Sequence, residues 1–287
     1  MPPSLVASAY HNLLRSFLAE DIGSGDITTE TTVSPTQRAR GELIAKAPLV
    51  LAGIELFAEV FRILDNTASV EILSRDGEEL TPEKIPARVN ASARALLTGE
   101  RVALNLLQRL SGVATLARRF TRAIEGTGAS VLDTRKTTPG LRALEKYAVL
   151  VGGGKSHRKD LAEAVLIKEN HIRMAGGVSA ALTAAQAARG RVAWIEIEVT
   201  DLVELRAALA HNPHVVMLDN MSPSLVRQAV EEVRKHAAPY RIRTEASGGI
   251  TLGNVREFAE AGVDWISVGA LTHSAPAVDL SFEIEPV

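Results

Sequence analysis

Cysteine is absent from the 287 residues, which removes disulfides, thiolate nucleophiles and zinc-thiolate sites together. A reducing compartment fits that absence. Excess charge is missing as well: 34 Asp+Glu against 32 Lys+Arg leave a net −2, so no global basic field draws the chain to nucleic acid or anionic lipid. Neither is expected as a partner. The longest apolar stretch, Ala47 to Ile54, has eight residues, far short of the roughly 20 a membrane helix needs. At the N-terminus His11, Asn12 and Arg15 interrupt the pattern a signal peptide requires. The expectation is a soluble, cytoplasmic protein.

What is present supports a large core. Hydrophobic residues make up 46% and charged residues 23%, a balance that argues against disorder, and the length points to two domains or one barrel-sized unit. The first hundred residues mix a helix (Leu5 to Glu20) with β-rich runs at Arg40 to Ala47, Ala68 to Ser74 and Pro86 to Ala93. Gly99 to Glu125 carries apolar residues near helical spacing and predicts one or two helices at a domain boundary. Beyond it, short apolar runs (Ser130 to Asp133, Ala164 to Lys168, Trp194 to Val199, His214 to Asp219, Arg241 to Ala246, Asp264 to Gly269) alternate with helix-favouring segments. That alternation predicts parallel strands with crossover helices. Six such strands point to an incomplete βα barrel, with an open doubly wound sheet as the alternative. The tail from Ala277 to Val287 is β-like and is expected to return to the first domain.

In either architecture the chemistry belongs just after the C-terminal ends of the parallel strands. Those positions hold Asp133-Thr134-Arg135-Lys136, Lys168-Glu169-Asn170-His171, Glu196-Ile197-Glu198, Asp219-Asn220, Glu245-Ala246-Ser247-Gly248-Gly249 and Gly269-Ala270. From Arg135 to Arg173 nine Lys+Arg face four Asp+Glu, a local excess suited to a small polyanion. Arg142 and Lys146, flanking Glu145, are expected to form exposed pairs of little energetic weight. Arg135, Lys136, Arg158 and Lys168 are the better ligand groups.

Ser247-Gly248-Gly249, between a strand and a helix, can cradle phosphate with backbone N–H groups, and Gly269 at the next strand end adds to it. Gly152-Gly153-Gly154-Lys155-Ser156 is not a P-loop, because Val149 stands where a glycine is required and the segment before it is helical. It reads as a helix stop and a loop delivering His157 and Arg158. Glu196 and Glu198 share one side of their strand. They are either paired with Lys or Arg, or Glu198 faces ribose hydroxyls or a hydrated cation. With Asp219 at the same level, two hard oxygen ligands suit Mg²⁺ shared with substrate phosphates.

Several of these segments, with Glu20-Asp21-Ile22-Gly23-Ser24-Gly25-Asp26-Ile27-Thr28-Thr29, Gly99-Glu100-Arg101-Val102-Ala103-Leu104-Asn105, Asp133-Thr134-Arg135-Lys136-Thr137-Thr138-Pro139-Gly140, Gly152-Gly153-Gly154, His157-Arg158 and Lys168-Glu169-Asn170-His171, occur in an order and spacing that resembles the quinolinate phosphoribosyltransferase family. Ser247-Gly248-Gly249 and Val268-Gly269-Ala270-Leu271-Thr272-His273 extend the resemblance almost to the end. Glu163 stands where Asp is more usual.

The resemblance implies an N-terminal α/β sandwich-like domain with an open-faced sheet (1–112), an incomplete α/β barrel (113–270) and a segment (271–287) returning to the first domain. It implies conversion of quinolinate and phosphoribosyl pyrophosphate to nicotinate mononucleotide, pyrophosphate and CO₂ for NAD synthesis, in a homodimer with shared active sites and room for higher assembly. Lys136, Lys168, Glu198 and Asp219 would be catalytic. Arg101, Arg135, His157, Arg158 and Lys168 would surround the two quinolinate carboxylates, Lys136 would stand near the junction of quinolinate and pyrophosphate, Thr134 would also bind substrate, and Arg101 would come from the neighbouring subunit. Glu198 and Asp219 would hold ribose and Mg²⁺, directly or through water or substrate. Ser247, Gly248, Gly249, Val268, Gly269 and Ala270 would hold the 5′-phosphate. Two rivals are a relative acting on another aromatic acid and a phosphometabolite-binding regulator without turnover. Lys136 and Lys168 together favour the quinolinate enzyme over the first.

Overall fold

The computed structural model describes residues 5–287, and the chain divides into two compact units. One comprises the residues up to Arg118, Tyr147–Gly153 and Ala275–Val287; the other comprises Arg119–Lys146 and Gly154–Ser274.

In the first unit, helices α1 (His11–Ile22) and α2 (Ile27–Thr32) precede strands β1 (Arg38–Ala45) and β2 (Leu49–Val50) and helix α3 (Ile54–Leu64). Strands β3 (Ser69–Ile72), β4 (Glu79–Leu80) and β5 (Ala87–Ser92) follow, then the 31-residue helix α4 (Ala93–Ala123). Asp26 starts α2 by accepting the Thr29 N–H at 3.0 Å, as an N-cap carboxylate should. The Gly99 to Glu125 region is thus one helix, not two, and it begins earlier than the sequence pattern indicated. Strand β12 (Leu280–Pro286) completes a four-stranded antiparallel sheet of order β12-β1-β5-β3. Buried Phe57 and Phe61 of α3 pack on Phe282 of β12, with ring centroids 5.5 and 5.2 Å away. Gly41 on β1 makes room for Phe282: a Cβ there would lie 2.0 Å from its ring.

The second unit holds β6 (Ser130–Leu132), α5 (Arg142–Val151, shared with the first unit), β7 (Val165–Ile167), α6 (Glu169–Ala175), α7 (Val178–Ala185) and β8 (Ile195–Val199). It continues through α8 (Leu202–Leu209), β9 (Val215–Asp219), α9 (Pro223–Lys235), β10 (Arg243–Ser247), α10 (Val255–Glu260), β11 (Trp265–Ser267) and α11 (Ala270–His273). Helix α9 shows why the local sequence folds this way: Ser222 caps it, Pro223 occupies its first turn, and Val226, Ala229, Val230 and Val233 form one buried stripe.

The six strands are parallel and ordered β6-β11-β10-β9-β8-β7. Strands β7 to β11 follow chain order without the reversal that defines a doubly wound sheet. With β6 beside β11, this is barrel order with the β6–β7 pairing missing. At that seam the loop after α5 pairs with β6 through the bridge Leu132–Lys155.

Candidate active site

Register builds the site. Glu198 lies opposite Met217, Met217 opposite Glu245, and Asp219 opposite Ser247. Alternation along each strand therefore turns Glu196 and Glu198, Met217 and Asp219, and Glu245 and Ser247 to one inner face. Above this face opens a cavity of about 780 Å³, within the usual range for a small-molecule site. It is lined by every site residue expected from the sequence except Arg101. Arg101 stands on α4 in the first unit, its side chain 64% exposed and ion-paired with Glu100.

The basic wall comes from three segments. After β6, Thr134 Oγ1 accepts the Lys136 N–H at 3.0 Å, and the Lys136 carbonyl accepts the Thr272 hydroxyl at 2.7 Å, which fixes the backbone of the Arg135-Lys136 turn. Arg135 Nε is buried with no partner among the described residues. At the seam, Arg158 is buried and gives one guanidinium N–H to the Ala164 carbonyl at 2.8 Å. Burial, and then the charge of Arg135, push its pKa below the ordinary arginine value. After β7, Lys168 is ion-paired with Glu198, and its backbone N–H is held by His171 Nδ1 at 3.0 Å.

The seam loop is anchored from below. Asp133 accepts the His157 N–H at 2.9 Å and the Ser156 hydroxyl at 2.9 Å, and also pairs with Lys146. Burial pushes the Asp133 pKa up, and Lys146 opposes that rise. Here the structure corrects the sequence reading: Lys146 is 5% exposed and Glu145 0%, so neither forms a surface pair. Helix α5 turns Glu145 to the Thr138 hydroxyl and Lys146 to Asp133. Glu163 closes a turn by accepting the Lys159 N–H at 2.7 Å, a task that its longer side chain performs.

Beneath the cavity floor Glu196 and Glu245 are both fully buried. Glu196 takes neither of its expected partners, Lys or Arg; Trp194 Nε1 at 2.9 Å and His157 Nε2 at 3.1 Å face its Oε2. Burial first, and then the charge of Glu196, raise the Glu245 pKa well above the ordinary carboxylate range. The Ser267 hydroxyl donates to Glu245 Oε1, while Glu245 Oε2 and Glu196 Oε1 are buried without a hydrogen-bond partner among the described residues.

A second wall is glycine-rich. Gly248 has φ +93°, and a Cβ there would lie 2.2 Å from Asn220 Oδ1. Asn220, itself at φ +54°, donates its side-chain N–H to Asp219 at 2.7 Å and its backbone N–H to the Ser247 carbonyl at 2.9 Å. The sequence reading gave Asn220 no role, although asparagine just after a strand is a recognisable candidate for positive φ. The helix expected to follow the glycines forms as α10 from Val255, with a turn closed by Asn254 between Gly249 and its start. The cradle is therefore loop backbone, with Gly269 and Ala270 beyond it.

Comparison with known proteins agrees with this architecture. The profile of the quinolinate phosphoribosyl transferase N-terminal domain matches residues 26–111, and that of the C-terminal domain matches residues 113–283. The probable nicotinate-nucleotide pyrophosphorylase (carboxylating) of Bacillus subtilis is 42% identical over 95% of this chain and 92% of its own. The Mycobacterium leprae enzyme of that name is 40% identical over 96% and 97%. NadC from Streptococcus pyogenes superimposes with a TM-score of 0.93 at 37% identity, covering 99% of each chain. The pyrophosphorylase of Francisella tularensis gives 0.91 at 37% identity over 98% of each. With both domains matched in series by relatives of nearly the same extent, the chain belongs to the quinolinate phosphoribosyltransferase family.

Proposed function

We propose that the cavity of the incomplete barrel is the catalytic centre of a carboxylating nicotinate-nucleotide pyrophosphorylase. The enzyme transfers the phosphoribosyl group of phosphoribosyl pyrophosphate to quinolinate, giving nicotinate mononucleotide, pyrophosphate and CO₂ in NAD biosynthesis. The observation that carries the site assignment is Arg135 Nε, a buried donor without a protein partner in a wall that also presents Arg158, Lys136 and Lys168. A dianionic ligand supplies the missing acceptor, and guanidinium forks match its carboxylates two oxygens at a time.

In this reading Arg135, Arg158 and Lys168 orient quinolinate, with Lys136 toward the pyrophosphate. The Ser247-Gly248-Gly249 loop and the Val268-Gly269-Ala270 turn hold the 5′-phosphate. The pyridine nitrogen displaces pyrophosphate at the anomeric carbon, while Glu198 and Asp219 face the cationic charge that develops there. The alkylated nitrogen, now cationic, stabilises the carbanion left on the adjacent ring carbon as its carboxylate departs as CO₂, and that carbon then takes a proton from solvent, so no covalent enzyme intermediate is required. The protein supplies orientation and electrostatics.

Glu198 and Asp219 are hard oxygen donors on the inner face of neighbouring strands, a donor set that fits Mg²⁺. They would hold it directly or through water or substrate oxygens, and it would neutralise pyrophosphate charge. The same reading makes the enzyme a cytoplasmic homodimer. Arg101 of each subunit completes its neighbour's site, which accords with its exposed guanidinium and its place outside the residues lining the cavity.

The test is direct: purified protein given quinolinate, phosphoribosyl pyrophosphate and Mg²⁺ should release CO₂ and nicotinate mononucleotide in equal amounts. Binding of both substrates without either product would overturn the assignment in favour of a regulatory binding protein.

A further inference from the structure

Among the described residues Glu83, Asn212 and Asn220 are the non-glycine residues with positive φ, and of these Asn220 lines the cavity. At φ +54° a glycine would serve the backbone with less strain, so what asparagine adds is its side chain. Its amide donates to Asp219 Oδ2 at 2.7 Å. Its Oδ1 sits over Gly248, where a Cβ would lie 2.2 Å from that oxygen and 2.9 Å from the Asn220 backbone nitrogen. The backbone N–H donates to the Ser247 carbonyl at 2.9 Å. One residue thus touches both the carboxylate at the end of β9 and the glycine loop after β10, at the level where pairing sets Asp219 opposite Ser247.

We propose that Asn220 is a positioning residue that ties the ribose-facing carboxylate to the phosphate loop: its amide holds Asp219 Oδ2, so that Oδ1 is the oxygen presented to ribose, and its backbone fixes the loop beside that carboxylate. This rests on the reading of the cavity as the phosphoribosyl pyrophosphate site. Without the amide, the Asp219 carboxylate is free to turn about its terminal torsion. Gly248 belongs to the same device, because a side chain there would take the space of the Asn220 oxygen. A ligand whose ribose meets Asp219 and whose phosphate meets Ser247-Gly248-Gly249 bridges the two halves, and holding them in register before it arrives lowers the cost of binding.

The rival is a turn residue and nothing more, placed there because asparagine tolerates this φ. Asn220→Gly separates the two, since glycine keeps the backbone conformation and deletes the amide.

Calorimetry with ribose 5-phosphate, in excess chelator so that no metal contributes, reads the effect. Asp219→Ala should weaken binding by roughly 10- to 150-fold, the range of a lost charge-assisted hydrogen bond. Asn220→Gly should weaken it by about 3-fold or more in the wild-type background, yet add less than about 2-fold once the Asp219 carboxylate is gone. Inorganic phosphate, which carries no ribose, should bind Asn220→Gly within about 2-fold of wild type. Equal weakening of both ligands, multiplicative effects of the two substitutions, or wild-type binding of ribose 5-phosphate by Asn220→Gly would overturn the proposal. Failure of the site reading looks different: wild type does not bind ribose 5-phosphate, or Asp219→Ala binds it unchanged, and the ribose role of Asn220 falls with it.

A second measurement needs no ligand. In protein carrying ¹⁵N-labelled asparagine, with Asn220 assigned by comparison with Asn220→Gly, one of its two amide protons should resonate downfield of those of exposed asparagines and return among them in Asp219→Ala. Two ordinary amide protons in the wild type would overturn the proposal. If Asn220→Gly does not fold, Asn220→Asp, which tolerates the same φ, supplies the assignment and the spectrum decides.

Discussion

The Lys146 ammonium sits between the Asp133 carboxylate and the His157 carbonyl oxygen, 2.9 Å from the latter, with both Lys146 and Asp133 buried. It joins α5 to the end of β6 and to the seam loop, so one charge sets the level at which the loop crosses the barrel opening. Lys146→Met should destabilise the protein by about 3–5 kcal/mol, because it leaves Asp133 buried without its counter-charge. Arg173→Ala, which breaks the exposed pair with Glu169, should change stability by less than ~1 kcal/mol. Urea unfolding of the two variants checks the contrast, and equal losses would deny the pair its structural role.

Glu245 makes stability depend on pH. Its pKa is raised in the folded protein, so the folded state binds that proton more tightly than the unfolded chain does. The stabilisation is complete below the ordinary glutamate value and declines as pH rises toward the raised one. In Glu245→Gln the amide keeps an acceptor for Ser267 and a donor for Glu196, and it cannot titrate. Melting temperatures of wild type and variant should diverge as pH rises above the ordinary glutamate value, the variant gaining on the wild type; parallel curves would rule out this titration.

Lys136→Ala and Lys168→Ala should lose far more activity than stability, since both side chains line the cavity. Removing one charge-assisted contact of ~1.5–3 kcal/mol corresponds to roughly 10- to 150-fold in kcat/KM. Wild-type turnover in both variants would remove these lysines from the mechanism.

Activity should vanish in excess chelator and return with Mg²⁺ or Mn²⁺. Glu198→Gln and Asp219→Asn should each raise the metal concentration required for half-maximal rate. Full activity in chelator would deny the two carboxylates a metal role.

Arg101→Ala and Lys136→Ala homodimers should both be nearly inactive. Random pairing after co-refolding gives mixed dimers with one doubly defective and one intact site, so recovery should approach about a quarter of wild-type activity. No recovery, with mixed dimers confirmed, would place both residues in one subunit's site.

The strands and the groups at their ends were legible because a parallel strand advertises itself as a short apolar run and ends where polar residues resume. Lys136, Lys168, Glu198, Asp219 and Ser247 all follow from that rule. Lys146 was not legible. Adjacent Glu145 and Lys146 look like a solvent-facing pair until the loop that covers them is known, and that loop lies on the far side of a triple glycine. Nor was the Glu196–Glu245 pair, whose members meet only through the β8-β9-β10 pairing order. Barrel order against doubly wound order is likewise a property of pairing between distant strands, which periodicity does not encode.

Strand β12 has a consequence for the order of events during synthesis. β1 leaves the ribosome early, but its neighbour on one side is β12, with Leu43 opposite Phe282 and Ala45 opposite Leu280. Every strand of the barrel is translated in between. The sheet begun first is therefore finished last, and until then β1 presents an unpaired edge and α3 lacks the Phe282 ring. A nascent chain stalled after β11 would have its barrel strands in hand and its opening domain still ajar, the state in which a chaperone or a protease meets it.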